Sequence, residues 1–244
     1  MDSILSGRQP ILEALKSGVA LEKILVLYGT RGESLRQIRA LAKQRGVPFS
    51  EVSKQRFLEL APDAKNQGVL AIVSSTRYVE VDEILDSAEA KGASPFVLIL
   101  DEIEDPHNLG ALIRTAECAG VHGVIVPKHH SASISQTVAK ASAGASLHVP
   151  LARVTNVAQL IEELKQKGFW IVGADMSGAK RYDEVEYTGP IAVVVGNEGK
   201  GIRRLVKEKC DFLVRIPMYG KLGSLNASVA GALILYEVAR SRAT

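Results

Sequence analysis

The chain has 244 residues, of which 46% are hydrophobic and 23% charged, and its net charge is +3. This apolar content is enough for a packed core and excludes an intrinsically disordered protein. No apolar run reaches the roughly 18 residues that a membrane-spanning helix needs, and the opening residues lack the pattern of a secretory signal. Two cysteines without metal-ligand spacing, Cys118 and Cys210, predict a reduced, cytosolic protein.

The excess positive charge lies in the first third of the chain. Residues 1–75 contain 11 Lys and Arg against 7 Asp and Glu, whereas residues 76–244 contain 19 against 20. A basic face there would suit the phosphate backbone of a nucleic acid. A solvated surface rich in lysine and arginine would give the same excess, and on charge alone it is the simpler interpretation.

Residues 1–75 predict a small α/β domain. Helices are expected over residues 10–15, over 33–45, where Gly46 ends the helix, and from the cap Ser53 to residue 60. Strands are expected over residues 23–28, 47–52 and 68–73. Residues 76–93 include an acidic segment and predict a linker that is partly helical.

Longer apolar strands alternate with helices over residues 94–244. The predicted strands are 96–100, 121–126, 147–151, 169–173, 191–195 and 212–216. The predicted helices are 109–118, 135–141, 157–167, 202–207 and 225–240. Continuous apolar strands between helices are typical of a parallel sheet that is covered on both faces. We therefore predict a second, larger α/β domain.

Three polar loops that contain glycine follow apolar strands of this second domain. Their sequences are DEIEDPHNLGALIRTAECAG (101–120), IAVVVGNEGKGI (191–202) and IPMYGKLGSLNASVAGALILYE (216–237). Open α/β sheets bind ligands at the carboxyl ends of their strands, so the three loops predict one composite site. The dinucleotide motif GxGxxG, the phosphate loop GxxxxGK[ST] and the hydrolase elbow GxSxG are all missing, which disfavours those enzyme classes.

Several polar side chains in these loops have both a structural and a functional interpretation. Arg114 lies among apolar helix residues and, taken alone, reads as a surface arginine. Asn108 could be the N-cap of that helix, and Glu198 could stabilise its own turn or contact Arg114. His129 and His130 have no accompanying carboxylate or cysteine spacing, so no metal site is predicted.

The segments NLGALIRTAECAG, VVVGNEGKGI and IPMYGKLGSLNASVAGALILYE resemble motifs one, two and three of the SpoU/TrmH family of RNA ribose 2′-O-methyltransferases. They occur in the family's order and span residues 108–237, nearly the whole second domain. Residues 1–75 resemble the small ribosomal-protein-like substrate domain of the bacterial branch that methylates a guanosine of 23S rRNA. The departures are slight: Ala227 stands where valine is frequent, and Ile202 where leucine is frequent.

The resemblance implies a fold, a cofactor and an assembly. It implies that residues 94–244 form a parallel-sheet SPOUT methyltransferase domain whose C-terminal segment makes a trefoil knot. It implies S-adenosylmethionine as methyl donor, without metal, and a homodimer through the helix over residues 225–240. The residues that would hold the donor are Gly196, Gly201, Ile216, Met218 and Leu225.

The resemblance also implies a mechanism in which Arg114 acts on the ribose 2′-hydroxyl of the RNA. Glu198 would orient Arg114 through a bidentate pair, and Asn108, Ser224 and Asn226 would supply neutral hydrogen bonds. Three alternatives stay open at this point. They are a tRNA 2′-O-methyltransferase of the same family, an inactive member that only binds RNA, and a knotted enzyme that methylates a base nitrogen.

Overall fold

The structure is a computed structural model that describes residues 4–17, 19, 21–60, 66–73 and 78–242. By its internal contacts the chain divides into two compact units. The first contains residues up to 77 and the segment Ile134–Gln136, and the second contains the rest. Among the described residues, no helix is long and apolar enough to cross a membrane.

The first unit is a small sheet with helices. Its strands are β1 (Ile4–Ser6), β2 (Leu21–Leu27), β3 (Phe49–Val52) and β4 (Val69–Val73), and its helices are α1 (Arg8–Ser17), α2 (Glu33–Gln44) and α3 (Lys54–Leu60). In its described part the strand order is β1-β4-β2-β3, with β2 and β3 parallel and β4 antiparallel to both of its neighbours. The apolar faces of α1 and α2 bury Ile11, Leu15 and Ile38 against one face of this sheet, and Phe57 of α3 packs with Leu70 in a second cluster.

The second unit is larger and alternates strands with helices. Its strands are β5 (Tyr78–Val79), β6 (Phe96–Asp101), β7 (Gly123–Pro127), β8 (Leu151–Val154), β9 (Trp170–Ala174), β10 (Lys180–Arg181), β11 (Ile191–Gly196) and β12 (Phe212–Arg215). Its helices are α4 (Val81–Glu89), α5 (Pro106–Cys118), α6 (Gln136–Ala141, all but its first residue), α7 (Val157–Gln166), α8 (Arg204–Lys209) and α9 (Ala227–Arg242).

The sheet of the second unit is parallel and buried, as its apolar strands predict. Its order is β10-β12-β9-β11-β6-β7-β8-β5, and every pairing between described strands is parallel. Helices α4, α7 and α8 supply apolar side chains to the core on one face. Helices α5 and α9 lie on the other face, where an added Cβ on Gly231 would stand 2.4 Å from Leu112 and 3.4 Å from Val195. The backbones of α5 and α9 therefore approach closely beside β11.

The segment predicted as a linker, residues 76–93, differs from the expectation. Residues 74–77 lie outside the described part of the chain, but Tyr78 and Val79 pair with Leu151 and Ala152 at the edge of the large sheet. Helix α4 buries Ile84 and Leu85 in the core of the second unit. An amphipathic helix with an apolar face needs such a core, so most of this segment belongs to the second domain.

One predicted strand, 147–151, is displaced, and three short strands were not predicted. Ala145–Leu147 forms a 3₁₀ turn, and strand β8 begins only at Leu151. Of the apolar residues before it, Val149 is buried although its backbone is irregular, whereas Leu147 is 68% exposed. Strands β1, β5 and β10 have two or three residues each, too few to show the two-residue periodicity that predicts a strand.

Candidate active site

The first two predicted loops begin side by side at the carboxyl edge of the sheet. Strand β6 ends at Asp101 and strand β11 at Gly196, and these two residues are partners in the parallel register. The chain runs from β6 to β7 and β8 on one side and later returns to β9 on the other. The neighbouring ends of β6 and β11 therefore lie where open α/β sheets place their ligands.

The loop after β11 is a tight hairpin that its own residues hold closed. Asn197 and Gly201 exchange two backbone hydrogen bonds, of 3.0 and 2.8 Å. The side-chain oxygen of Asn197 accepts from the backbone N–H groups of Gly199 (2.9 Å) and Lys200 (3.2 Å). Its amide nitrogen donates to the carbonyl of Glu102 at 3.0 Å, which joins this loop to the one after β6.

Gly196 is required by this loop itself. A Cβ on Gly196 would stand 2.3 Å from the carbonyl carbon of Gly201 and 2.3 Å from the nitrogen of Ile202. These atoms are backbone and cannot move aside cheaply. The resemblance predicts that Gly196 leaves room for the methyl donor, but the close approach seen here is between two strands of the same loop.

An ion pair between a buried carboxylate and a half-exposed arginine anchors the far end of the hairpin. Asp101 is fully buried and accepts hydrogen bonds from the backbone N–H and the Nε of Arg203, both at 2.8 Å. The Nη2 of Arg203 lies 2.6 Å from the same carboxylate. These hydrogen bonds raise the pKa of Arg203 above its usual value, in spite of the opposing effect of burial. The pair fixes residues 196–203 against the end of β6.

Three predicted site residues from three separate loops meet at this edge. Asn108, in the first turn of α5, donates from Nδ2 to Glu198 at 3.2 Å. The Nδ2 of Asn226 donates to the Oδ1 of Asn108 at 2.9 Å and to the other oxygen of Glu198 at 2.7 Å. Each oxygen of the Glu198 carboxylate therefore accepts an amide N–H, and the three side chains form a closed hydrogen-bonded cluster.

Two of the cluster residues have defined places at helix starts. The N-cap of α5 is Asp105, whose carboxylate accepts from the backbone N–H of Asn108 at 2.8 Å, so Asn108 is not the cap itself. Asn226 does cap its helix: its Oδ1 accepts from the backbone N–H of Ser228 at 2.9 Å and of Val229 at 3.4 Å. The cap fixes which end of the Asn226 amide faces the cluster.

A cleft of about 270 Å³ opens beside this cluster, and all five residues predicted to hold a donor line it. Those residues are Gly196, Gly201, Ile216, Met218 and Leu225. Along the stretch 216–225, no backbone N–H or C=O forms a hydrogen bond with another described residue. Ile216, Met218 and Leu225 are half-buried, so their unbonded backbone groups can bind a ligand, whereas residues 219–224 are exposed to water. Apolar side chains such as Ala230 and Ile234 also line the cleft.

Asp175, which was not predicted, also lines the cleft. It follows β9, and its carboxylate accepts from Lys207 Nζ at 2.8 Å and from the Ser177 hydroxyl at 2.7 Å. Burial alone would raise the pKa of Asp175, but the bonds from Lys207 and Ser177 hold that pKa below its usual value. Asp175 lies in the segment GADMSG, a further polar loop that follows an apolar strand. The same rule that predicted the other three loops could have predicted this one.

Arg114 lies away from the cluster. It is exposed on α5, and its side chain forms no ion pair or hydrogen bond with any described residue. The predicted Arg114–Glu198 pair is therefore not formed. Glu198 contacts Asn108 at the start of α5, and Arg114 is six residues further on, about 9 Å along the helix at 1.5 Å per residue. Ser224 is exposed at the cleft, with its hydroxyl similarly unbonded.

The described residues hold no group of three or more His, Cys, Asp or Glu side chains arranged to bind a metal. The cleft is lined by unbonded backbone, apolar side chains, Lys200 and the carboxylates of Asp175 and Glu198, and Glu198 links it to the amides of Asn108 and Asn226 beside it. These groups can hold a flat polar ligand by its edges, and Glu198, which has no ion-pair partner among the described residues, can attract a positive charge.

Residues 95–236 match the SpoU rRNA methylase family, and residues 4–79 match the substrate-binding domain of RNA 2′-O ribose methyltransferases. The chain is 46% identical over 236 residues to a protein of Bacillus subtilis named as a TrmH family tRNA/rRNA methyltransferase, covering 97% of this chain and 94% of that protein. A protein of the same family name from Staphylococcus haemolyticus is 45% identical over 241 residues, with 99% and 96% covered.

Solved structures of SpoU-type methyltransferases are also similar to this chain. The SpoU methyltransferase AviRb of Streptomyces viridochromogenes, in complex with S-adenosylmethionine, is 25% identical with a TM-score of 0.63, covering 99% of this chain and 91% of that one. An rRNA methyltransferase of Sinorhizobium meliloti with the same cofactor is 26% identical with a TM-score of 0.61, covering 97% and 86%. This chain therefore belongs to the SpoU/TrmH family of RNA methyltransferases, whose methyl donor is S-adenosylmethionine.

Proposed function

We propose that this protein methylates the 2′-hydroxyl of a ribose in structured RNA, and that its target is a guanosine of 23S rRNA in the cytoplasm. The observation that carries the proposal is the cluster of Asn108, Glu198 and Asn226 at the rim of the cleft. It places oriented amides beside the donor cleft, as the positioning of a sugar hydroxyl requires. The match of residues 4–79 to a ribose methyltransferase substrate domain supports the same acceptor.

The cleft has the groups that S-adenosylmethionine needs. The unbonded backbone of residues 216–225 would hold the edges of its adenine and ribose, and the apolar walls would cover its faces. When bound, the donor supplies a methyl group on a positively charged sulfur. Glu198 lines the cleft without an ion-pair partner among the described residues and would favour that charge, whereas Asp175 is already paired with Lys207.

Arg114 is proposed to act on the acceptor as a cation. Arginine stays protonated in proteins, so the neutral form that a general base requires would be very costly to reach. A guanidinium that stabilises the developing alkoxide, or that holds a neighbouring phosphate, avoids this cost. Its exposed position leaves the side chain free to meet RNA. Ser224, exposed at the cleft, would supply a neutral hydrogen bond to the ribose.

The experiment for this mechanism measures methyl transfer and donor binding separately. Arg114→Ala should leave the donor affinity nearly unchanged and slow transfer to unmodified rRNA at least a hundredfold, about 2.7 kcal/mol. Arg114→Lys tests whether a point charge replaces the planar fork. Arg204→Ala, which removes an exposed arginine from α8, is the control. A fully active Arg114→Ala variant would refute the mechanism.

The choice of target is tested in cells. Mapping 2′-O-methylation over rRNA and tRNA in a strain that lacks this gene should show one missing methyl group on a guanosine of 23S rRNA. Loss of a tRNA methyl group instead would show that the substrate is tRNA. No loss in either RNA, together with RNA binding by the purified protein, would indicate an inactive binding member. Loss of a base methyl group would indicate the base-nitrogen enzyme.

We further propose that the protein forms a homodimer through α9. Val229, Leu233 and Tyr236 are 47%, 38% and 54% exposed, and their spacing of four and three residues puts them on one face of the helix. Such an exposed apolar stripe fits an interface. Leu233→Glu should shift the protein to a monomer in sedimentation, whereas Leu205→Glu on α8 should not. An unchanged sedimentation coefficient for Leu233→Glu would exclude this face.

The trefoil knot of the C-terminal segment is also a proposal. After β12 the chain runs along the cleft through residues 216–225 and returns as α9 beside α5 and β11. This path passes next to the hairpin of residues 196–203. The knot is tested by an experimental structure in which the chain is traced continuously from β11 to α9. A knot requires that the segment before α9 pass through a closed loop of the chain.

A further inference from the structure

Three loops of the first unit meet at one end of its sheet. They are Gly7–Arg8 after β1, Tyr28–Gly32 after β2 and Asn66–Gly68 before β4. The guanidinium of Arg8 joins them: its Nη2 donates to the carbonyl of Arg31 at 3.1 Å, and its Nε donates to the carbonyl of Gln67 at 3.3 Å. The backbone N–H of Arg8 in turn donates to the side-chain oxygen of Gln67 at 3.2 Å.

Two glycines show how closely these loops are packed. Gly32 has φ of +138°, and a Cβ there would stand 2.6 Å from the Nη1 of Arg8. Gly68 has φ of +75°, and a Cβ there would stand 2.5 Å from the Oγ1 of Thr30. The loops are thus packed against one another without a partner, and such preorganisation lowers the entropic cost of binding.

Tyr28 stands out from this fixed group of loops. Its side chain is 79% exposed, although its backbone N–H is tied to the carbonyl of Val52 at 3.0 Å. The backbone turns sharply here, since Thr30 N–H donates to Leu27 C=O at 3.0 Å and Gly29 has φ of +82°. A hydrogen-bonded turn therefore presents an aromatic ring to solvent, and exposed aromatic rings can stack on the bases of unpaired RNA.

Two cations accompany the ring and are not balanced by described carboxylates. Arg31 follows Tyr28 in the same loop, and Lys54 begins α3 after β3, whose last residue Val52 is in register with Leu27. Both are exposed, and neither side chain forms an ion pair with a described residue. Arg36 and Arg39, further along α2, are paired with Glu33 at 2.7 Å and Glu51 at 3.5 Å.

We propose that Tyr28, Arg31 and Lys54 form the surface on which the first unit holds an unpaired loop of the substrate RNA. Tyr28 stacks on a base, and the two cations contact the neighbouring phosphates. The inference rests on the proposed function in that it takes RNA as the substrate, and it adds which end of the first unit binds the RNA. A regular duplex is excluded as the preferred ligand, because its bases are not available for stacking.

The experiment measures binding of the full-length protein to 23S rRNA from a strain that lacks the gene. Tyr28→Ala should weaken binding about tenfold, the size of one lost base stack, and Tyr28→Phe should keep most of the affinity. Arg31→Ala should weaken binding. It should also reduce by about one the slope of the logarithm of the binding constant against the logarithm of the salt concentration. Lys43→Ala is the control. It removes a comparable exposed charge from the last turn of α2, whereas Arg31 precedes the first turn, and it should weaken RNA binding less than Arg31→Ala does.

Each outcome decides the proposal. Unchanged binding by Tyr28→Ala, or an equal loss in Lys43→Ala and Arg31→Ala, would overturn it, as would failure of the wild-type protein to bind this RNA. Binding of S-adenosylmethionine, measured by calorimetry, should be the same in every variant. If the wild type binds the RNA through Tyr28 but transfers no methyl group, this surface stands and the proposed reaction falls.

Discussion

In the first unit, the loops around Arg8 are joined by a side chain that binds backbone carbonyls. In the second unit, the loops at the cleft are joined by Asn108, Glu198 and Asn226, which bind one another through side-chain atoms. A carbonyl is present at every residue, so the first arrangement depends on one arginine. The second depends on three specific side chains at once.

This difference fits the two tasks that we propose. Capturing RNA requires a fixed surface with an aromatic ring and positive charge, and small displacements of that surface are tolerated. Methyl transfer requires that particular atoms be held in line, so the side chains themselves must be oriented. Substitutions at the cleft should therefore have larger effects than substitutions of similar size in the first unit.

The largest effect is expected for Gly196→Ala. The added Cβ would meet backbone atoms of Gly201 and Ile202 at 2.3 Å, so the hairpin would have to open. We expect donor binding to fall below detection by calorimetry, with a loss of stability of about 1–3 kcal/mol, the usual range for overpacking. Gly199→Ala is the matched control, because its Cβ would have only an ordinary contact at 3.6 Å. Donor binding by Gly196→Ala at wild-type strength would show that the loop adapts.

A smaller effect is expected for Glu198→Gln. The new amide group would face the Nδ2 of Asn108 or of Asn226, so one hydrogen bond of the cluster would become a contact between two donors. Methyl transfer should slow by about tenfold to a hundredfold, in the range for the loss of one oriented polar group, with RNA affinity unchanged.

Gln67→Ala supplies the corresponding substitution in the first unit. It removes one bond to Arg8 but keeps the backbone carbonyl that Arg8 also contacts. RNA affinity should stay within about twofold of the wild type, since one exposed hydrogen bond contributes little. If Gln67→Ala were as harmful to binding as Glu198→Gln is to the rate, the contrast between the two loop groups would be wrong.

The smallest effect is a pH dependence that involves the second unit. The Nδ1 of His122 accepts from the backbone N–H of Phe96 at 3.0 Å, and burial, with a contribution from Arg242, lowers the pKa of His122 below 6.5. The unfolded chain binds this proton more readily, so stability should fall as the pH drops through about 6.5 and level off below the folded pKa. The first 77 residues contain no histidine.

Thermal unfolding at pH 7.5 and pH 5.5 measures this contribution. For a chain of this size a loss of 1 kcal/mol lowers the melting temperature by about 2–4 °C, and we expect a shift no larger than that. His122→Asn keeps an acceptor that does not titrate, so its melting temperature should change less between the two pH values. An equal shift in the variant would assign the effect to other groups.

The sequence predicted the central strands from their continuous apolar runs, and the long helices α5, α7 and α9 from apolar segments of helical length. The positions of the three loops at strand ends predicted one composite site, and the family resemblance named Ile216 and Leu225, which line the cleft. It did not predict that Glu198 binds Asn108, 90 residues away, rather than Arg114. Such pairs depend on which turn of a helix faces a loop, and local spacing carries no information about that.

Asn226 joins the cluster to the start of α9, because its oxygen caps the helix while its nitrogen binds Asn108 and Glu198. Fraying of one helix end would therefore release a side chain of the candidate active site. The backbone N–H of Ser228, which the cap protects, becomes a reporter of that event. Its rate of hydrogen exchange with deuterated solvent would measure how often the cluster comes apart in the absence of any substrate.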